Sequence, residues 1–207
     1  MRAFGRRTLL TGGAALTTGL VAAGCSDRAT HSTVAASPPP IGRGVARTDA
    51  DIATLAGGLE VLLAGAYRSL RERLNGGAFG RVPSAMDEYV RVAMTHHEEH
   101  VQVWQDILGK SGRAAVIEPN RQMAPAVQRQ LDVVKDVDGA LHLALGLEDV
   151  AADTYLRSLT EASSVEAART AARIGIVEQQ HQAFLLLAIG DYPAPDSLMR
   201  PEKAVTP

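Results

Sequence analysis

Four stretches of this chain repeat one apolar pattern, and in each of them the pattern lands near its middle on an ionisable residue. Positions that advance by fours and threes mark a single face of an α-helix. From about residue 50 to 75 that face reads Ala53, Ala56, Glu60, Leu63, Tyr67, Leu70 and Leu74. From Ser84, the expected N-cap, to Gly109 it reads Met86, Val90, Ala93, His97, His100, Trp104 and Ile107. From about 138 to 161 it reads Leu141, Leu145, Glu148, Ala152, Tyr155 and Leu159, and from about 165 to 189 Ala171, Ile174, Glu178, His181, Leu185 and Ala188. Helices with one apolar face are stable only when that face is covered, so four of them predict an all-α antiparallel four-helix bundle. Asn75-Gly76-Gly77 and Ser163-Ser164 read as the turns of two helical hairpins. A looser stretch holding Ser111-Gly112, Pro119 and Pro125 reads as a longer crossover between the second and third helices, with a turn or two around Val127 to Val134 leading into the third.

The interruptions carry the chemistry. A carboxylate buried without a partner costs several kcal/mol or gives up its charge, so Glu60, Glu148 and Glu178 facing one core require compensation. A bound cation is the simplest source of it. Residues three apart on a helix point the same way, so His97 with His100, and Glu178 with His181, can reach one metal site. Glutamate and neutral histidine suit iron, manganese or zinc. The single cysteine excludes a disulfide framework and any multi-cysteine zinc or iron–sulfur site. With 21 basic residues against 23 acidic ones there is no positive field to gather phosphates, which argues against nucleic-acid binding. The two halves also echo each other: Glu60 precedes Tyr67 by seven, Glu148 precedes Tyr155 by seven, and each of these helices is followed by one bearing an i, i+3 ligand pair.

The amino terminus reads as an address. Arg2, Arg6 and Arg7 precede an apolar run from Leu9 to Ala23, shorter than the roughly 20 residues of a membrane span. Arg6-Arg7-Thr8-Leu9-Leu10 resembles a twin-arginine export signal, with Gly5 where Ser or Thr is commoner. Ala22-Ala23-Gly24-Cys25 resembles a bacterial lipobox, with Ala22 in place of the usual Leu, which makes Cys25 the expected lipidation site. Cleavage before Cys25 would remove three arginines and no acid, leaving the exported chain more acidic. Residues 26–48, with Pro38-Pro39-Pro40 and no hydrophobic period, read as a flexible tether. The domain is expected over 49–190, followed by an irregular proline-rich tail over 191–207. The predicted location is the outer face of the bacterial cytoplasmic membrane or the cell envelope.

At these residues the chain resembles the ferritin-like superfamily of ferritins, bacterioferritins and rubrerythrins. There one helix of each half supplies a Glu and the next a Glu-x-x-His, all facing inward around two metal ions. The resemblance spans roughly residues 50–190 and implies iron as cofactor, with manganese or zinc as alternatives, and Fe(II) oxidation by dioxygen or peroxide as activity. Carried over by position, Glu60, His100, Glu148, Glu178 and His181 match ligands, and Tyr67 and Tyr155 match aromatic positions near the glutamates. His97 departs from the pattern, standing where a second bridging Glu is expected. Three glutamates do not neutralise two divalent ions, so both a di-iron and a mononuclear site stay open.

Two other readings of the same residues stay open. Loss of a bridging ligand at His97 is how a ferritin-like scaffold would begin to degenerate into a metal-free envelope binding or interaction module. His96-His97-Glu98-Glu99-His100 also contains His-x-x-Glu-His, the order of a zinc protease, with His96 and His100 as ligands and Glu99 as base. That reading requires a larger scaffold and leaves the other ionisable residues unexplained. His142 and His31 are expected outside any site, and Glu98 and Glu99 in solvent.

Overall fold

Local capping fixes where the helices begin. The structure, a computed structural model, describes residues 47–206; Cys25, the expected signal and the tether up to residue 46 lie outside the described residues. Helix α1 (Asp49–Asn75) opens with a capping box: Thr48 Oγ1 accepts from the Asp51 amide at 3.2 Å, and the Asp51 carboxylate accepts from the Thr48 amide at 3.1 Å. Helix α2 (Ser84–Lys110) differs from expectation at its start. Ser84 is not the N-cap, because the carbonyl of extended Pro83 already accepts the amides of Met86 and Asp87, which places Ser84 inside the first turn. Helix α4 (Val137–Glu161) is capped by Asp136 and helix α5 (Val165–Ile189) by Ser164. Gly190, at φ 93°, ends α5 in the left-handed conformation that glycine tolerates best.

The crossover holds a separate short helix, α3 (Ala124–Val133). It does not run on into the next helix, since Val134 and Asp136 are extended. The Arg73 guanidinium on α1 donates to the carbonyls of Leu131 and Val134, satisfying the acceptors that the end of α3 leaves open. The Asn120 amide donates to Gly58 O at 2.8 Å, which pins the crossover along α1.

α1 packs along α2 and α4 along α5, and the two hairpins meet through α1 against α4 and α2 against α5. The core between them includes Leu59, Leu63, Tyr67, Trp104, Leu108, Tyr155 and Leu185. α1 is long and apolar enough to cross a membrane, but most of that stretch is buried among the other helices. The 4-3 stepping holds in mid-helix and drifts at the ends, because a straight helix has 3.6 rather than 3.5 residues per turn. Leu108 is buried in place of Ile107, and Ser158 in place of Leu159, which is 40% exposed; Leu145 is only half-buried and Ala188 is exposed.

The two ends of the bundle are built differently. Where α1 and α5 begin and α2 and α4 finish, contacts are ionic: Arg47 pairs with Glu161, Lys110 with Glu166 and Arg113 with Asp51, while Asp49 accepts from the amides of Ser163 and Ser164. At the other end Tyr89 stacks on Phe184 with ring centroids 4.4 Å apart, beside Leu70, Met86, Leu141 and Leu185. Beyond Gly190 the described residues form no helix or strand, yet the tail is docked. The Lys203 amide donates to Asp153 at 2.7 Å, the Val205 amide to Thr154 Oγ1 at 2.9 Å, and the Val205 side chain is buried.

Candidate metal centre

Each of the four long helices presents its ionisable residues inward at mid-length, so six of them meet in one place. Glu60 comes from α1, His97 and His100 from α2, Glu148 from α4, and Glu178 and His181 from α5. Glu60, His97, Glu148 and Glu178 are 0% exposed. Ligand atoms form two overlapping groups, Glu60–His97–His100–Glu178 and His97–Glu148–Glu178–His181, each with its members within 4.8 Å of one another. His97 and Glu178 belong to both groups.

A pair of tyrosines crosses between the halves. Tyr155 on α4 donates to Glu60 Oε1 on α1, and Tyr67 on α1 donates to Glu148 Oε1 on α4. Burial, reinforced by the adjacent carboxylates, holds all three nearby phenols, Tyr67, Tyr89 and Tyr155, well above the usual tyrosine range, so they remain donors. Trp104 Nε1 donates to Tyr155 Oη at 3.0 Å, and the hydroxyls of Tyr67 and Tyr89 lie 2.8 Å apart. The heptad echo in the sequence is thus a reciprocal bond in the fold.

Electrostatics follow from the enclosure. Burial alone would raise the glutamates and lower the histidines; the mutual contacts reverse most of this. Glu60 is brought down to about 2 by His100 and His97, and Glu148 is held well below the carboxylate range by His97 and His181. His97 is raised well above the usual imidazole range by Glu178 and Glu148, and His100 and His181 are raised to about 9 by the carboxylates they face. Glu178 is the exception, since burial keeps it above the usual carboxylate value.

Hydrogen bonds within the cluster leave two atoms over. His97 Nδ1 donates to Glu60 Oε2 at 2.8 Å, and its Nε2 lies 3.3 Å from Glu148 Oε1. His181 Nδ1 lies 3.3 Å from Glu148 Oε2 and from Glu178 Oε2. His100 Nδ1 and Glu178 Oε1, though 3.0 Å apart, are misaligned for a hydrogen bond, and both are buried with no partner. Buried polar atoms are rarely left so. Ligands at about 2.1 Å from one ion stand about 3.0 to 3.4 Å from each other, depending on geometry. His100 Nδ1 lies 3.0 Å from Glu178 and 3.5 Å from Glu60 Oε2, which suits a shared cation. The donor set therefore fits a transition-metal ion.

Two neighbours escape the 4-3 reading of α2. Tyr89 lies 3.5 Å from Glu148 as well as bonding Tyr67; its signal is the spacing of four to Ala93. His96 is half-buried, with Nδ1 3.0 Å from His181 Nε2 and its ring nearly parallel to that of His181, at 11°. It thereby holds the outer nitrogen of His181 and leaves the inner one facing the carboxylates. The spacing of four to His100 could have found it. Glu99 is exposed on the outside of α2 and Glu98 pairs there with Arg68, so the base of the zinc-protease order is turned away from His96 and His100. His142 is exposed beside Asp138.

A search of characterised proteins and a search of solved structures each find no significant match to the chain. A family model described as a ferritin-like domain matches residues 48–191, which includes all four long helices and all six inward residues. With that match over most of its length, and with two helical hairpins closing on a buried Glu/His cluster, the chain belongs to the ferritin-like domain family.

Proposed function

We propose that this protein is an exported, lipid-anchored bundle that takes a divalent transition-metal ion, iron foremost, at Glu60, His97, His100, Glu148, Glu178 and His181, and oxidises Fe(II) there with dioxygen or peroxide. The observation that carries the reading is the buried, unpartnered pair His100 Nδ1 and Glu178 Oε1 inside a cluster of three glutamates and three histidines. Export and anchoring rest on Arg6-Arg7 and on Ala22-Ala23-Gly24-Cys25.

Iron, when bound, supplies the one-electron couple; the chain supplies the setting. Tyr155 and Tyr67 fix the orientation of Glu60 and Glu148, so these ligands need little rearrangement on binding. Leu59, Leu63, Ala93 and Ala151, each within about a turn of a ligand on the same helix, are themselves fully buried. His96 offers the outer nitrogen of His181 a proton partner on the way to the surface.

Elemental analysis after anaerobic reconstitution with Fe(II) tests this, alongside Glu60→Ala and Glu178→Ala. The wild type is expected to hold at least one equivalent and to gain thermal stability, and both variants to lose the metal; ferrous oxidation rates then separate an oxidase from a passive binder. The rival reading, a scaffold with a degenerate site serving as an envelope interaction module, draws on one observation. His97 bonds both Glu60 and Glu148 and so meets part of their charge without an ion. A wild type with no metal after reconstitution, and variants of unchanged stability, would decide for that rival.

A further inference from the structure

The pseudo-symmetric halves of the cluster differ in what their donor atoms are doing. On the Glu148 side every ligand atom is engaged. Glu148 accepts from Tyr67 and faces His97 and His181, His181 Nδ1 faces Glu148 and Glu178, and the outer nitrogen of His181 is held by His96. On the Glu60 side two of the four donors, His100 Nδ1 and Glu178 Oε1, face each other at 3.0 Å but make no hydrogen bond. The asymmetry traces to His97, whose ring spans the gap from Glu60 to Glu148 where a carboxylate would have faced both halves alike.

We infer that the centre loads unequally: the first ion is held by Glu60, His100 and Glu178, and the Glu148–His181 half takes a second only much more weakly. An ion entering the first half meets two donor atoms that no hydrogen bond holds and displaces one contact, that of His97 with Glu60. An ion entering the second must break the contacts of His181 with both glutamates and that of His97 with Glu148. Charge points the same way. Three glutamates more than neutralise one divalent ion and fall short of two, so the second ion is left without a full counter-charge. This inference rests on the metal-binding reading above and adds to it the place and order of binding.

The test is a spectroscopic titration of the purified protein with Co(II), whose visible bands report nitrogen and oxygen ligation. In the wild type one equivalent is expected to bind tightly, with any second at least about tenfold weaker, within the range by which supporting contacts alter metal affinity. His100→Ala is expected to weaken the tight step by about 100-fold or more and His181→Ala by less than about tenfold, with circular dichroism checking that each variant is folded. His97→Glu, which frees both carboxylates and adds a fourth negative charge, is expected to raise the tight stoichiometry from one to two. Two equal tight steps in the wild type, or equal losses in His100→Ala and His181→Ala, overturn the inference while leaving a metal-binding bundle. No Co(II) uptake by the wild type overturns both.

Discussion

The phenol of Tyr155 on α4 donates to the carboxylate of Glu60 on α1, and itself receives the indole N–H of Trp104 on α2. One hydroxyl thus joins three helices around an anionic ligand.

Tyr155→Phe should therefore cost more than Tyr67→Phe. The first leaves both Glu60 Oε1 and Trp104 Nε1 without their partner, and unsatisfied buried groups cost about 1 to 3 kcal/mol each. The second frees both Glu148 and the Tyr89 hydroxyl, but these two already lie 3.5 Å apart and can pair with each other. Urea denaturation of the metal-free variants is expected to show a deficit of about 2 to 6 kcal/mol for Tyr155→Phe and about half that for Tyr67→Phe; equal deficits would show that the Trp104 bond contributes nothing.

Gly175 on α5 lies close against this tyrosine, since a Cβ there would sit 3.1 Å from Tyr155 Cβ. Replacing a helical glycine by alanine ordinarily gains up to about 1 kcal/mol. Gly146→Ala, which meets nothing within 4 Å, should show that gain. Gly175→Ala should lose stability instead, by pushing Tyr155 off Glu60. Comparing the two melting temperatures checks the pair, and a stabilised Gly175→Ala would contradict the tight contact.

The metal-free protein should have opposite pH responses at its two limits. His100 and His181 are raised from 6.5 to about 9, so their contribution is complete below about pH 6.5 and disappears as pH climbs through 9. Glu60 is lowered from 4.5 to about 2, so its contribution is complete above about pH 4.5 and is lost as pH falls toward 2. Thermal melts are expected to peak between these limits. Metal binding must displace the protons on His100 and His181, so affinity should rise from pH 6 to 9 while metal-free stability falls. Parallel melts and Co(II) titrations over that range check both slopes.

Cys25→Ser is expected to move the protein from the membrane fraction to the soluble exported fraction, and Arg6→Lys with Arg7→Lys to retain it in the cytoplasm. Fractionation of expressing cells reads both; membrane association that survives Cys25→Ser would exclude the lipid anchor.

The bundle was legible because Glu60, Glu148 and Glu178 each fall on the apolar 4-3 face of a helix. The six inward residues meet in space for the same reason: mid-helix, stepping by 3.5 or 3.6 gives nearly the same face. Away from the middle the two diverge, which is why Leu108 and Ser158 replace Ile107 and Leu159. Ser84 looked like a cap because serine commonly is one, but Pro83 had already taken that position. α3 carried only two buried residues, Val127 and Leu131, too few for a period to show. His96 and Tyr89 act through neighbours on other helices, Tyr89 on α1 and α4 and His96 on α5, which α2's own stepping does not encode.

The contrast between the ionic and aromatic ends of the bundle sets where it will come apart first. Added salt screens Arg47–Glu161, Lys110–Glu166 and Arg113–Asp51 while leaving the Tyr89–Phe184 stack untouched. In brine the helices should fray from the end where α1 and α5 begin, and amide protons of α1's opening turns should exchange long before those near Leu70.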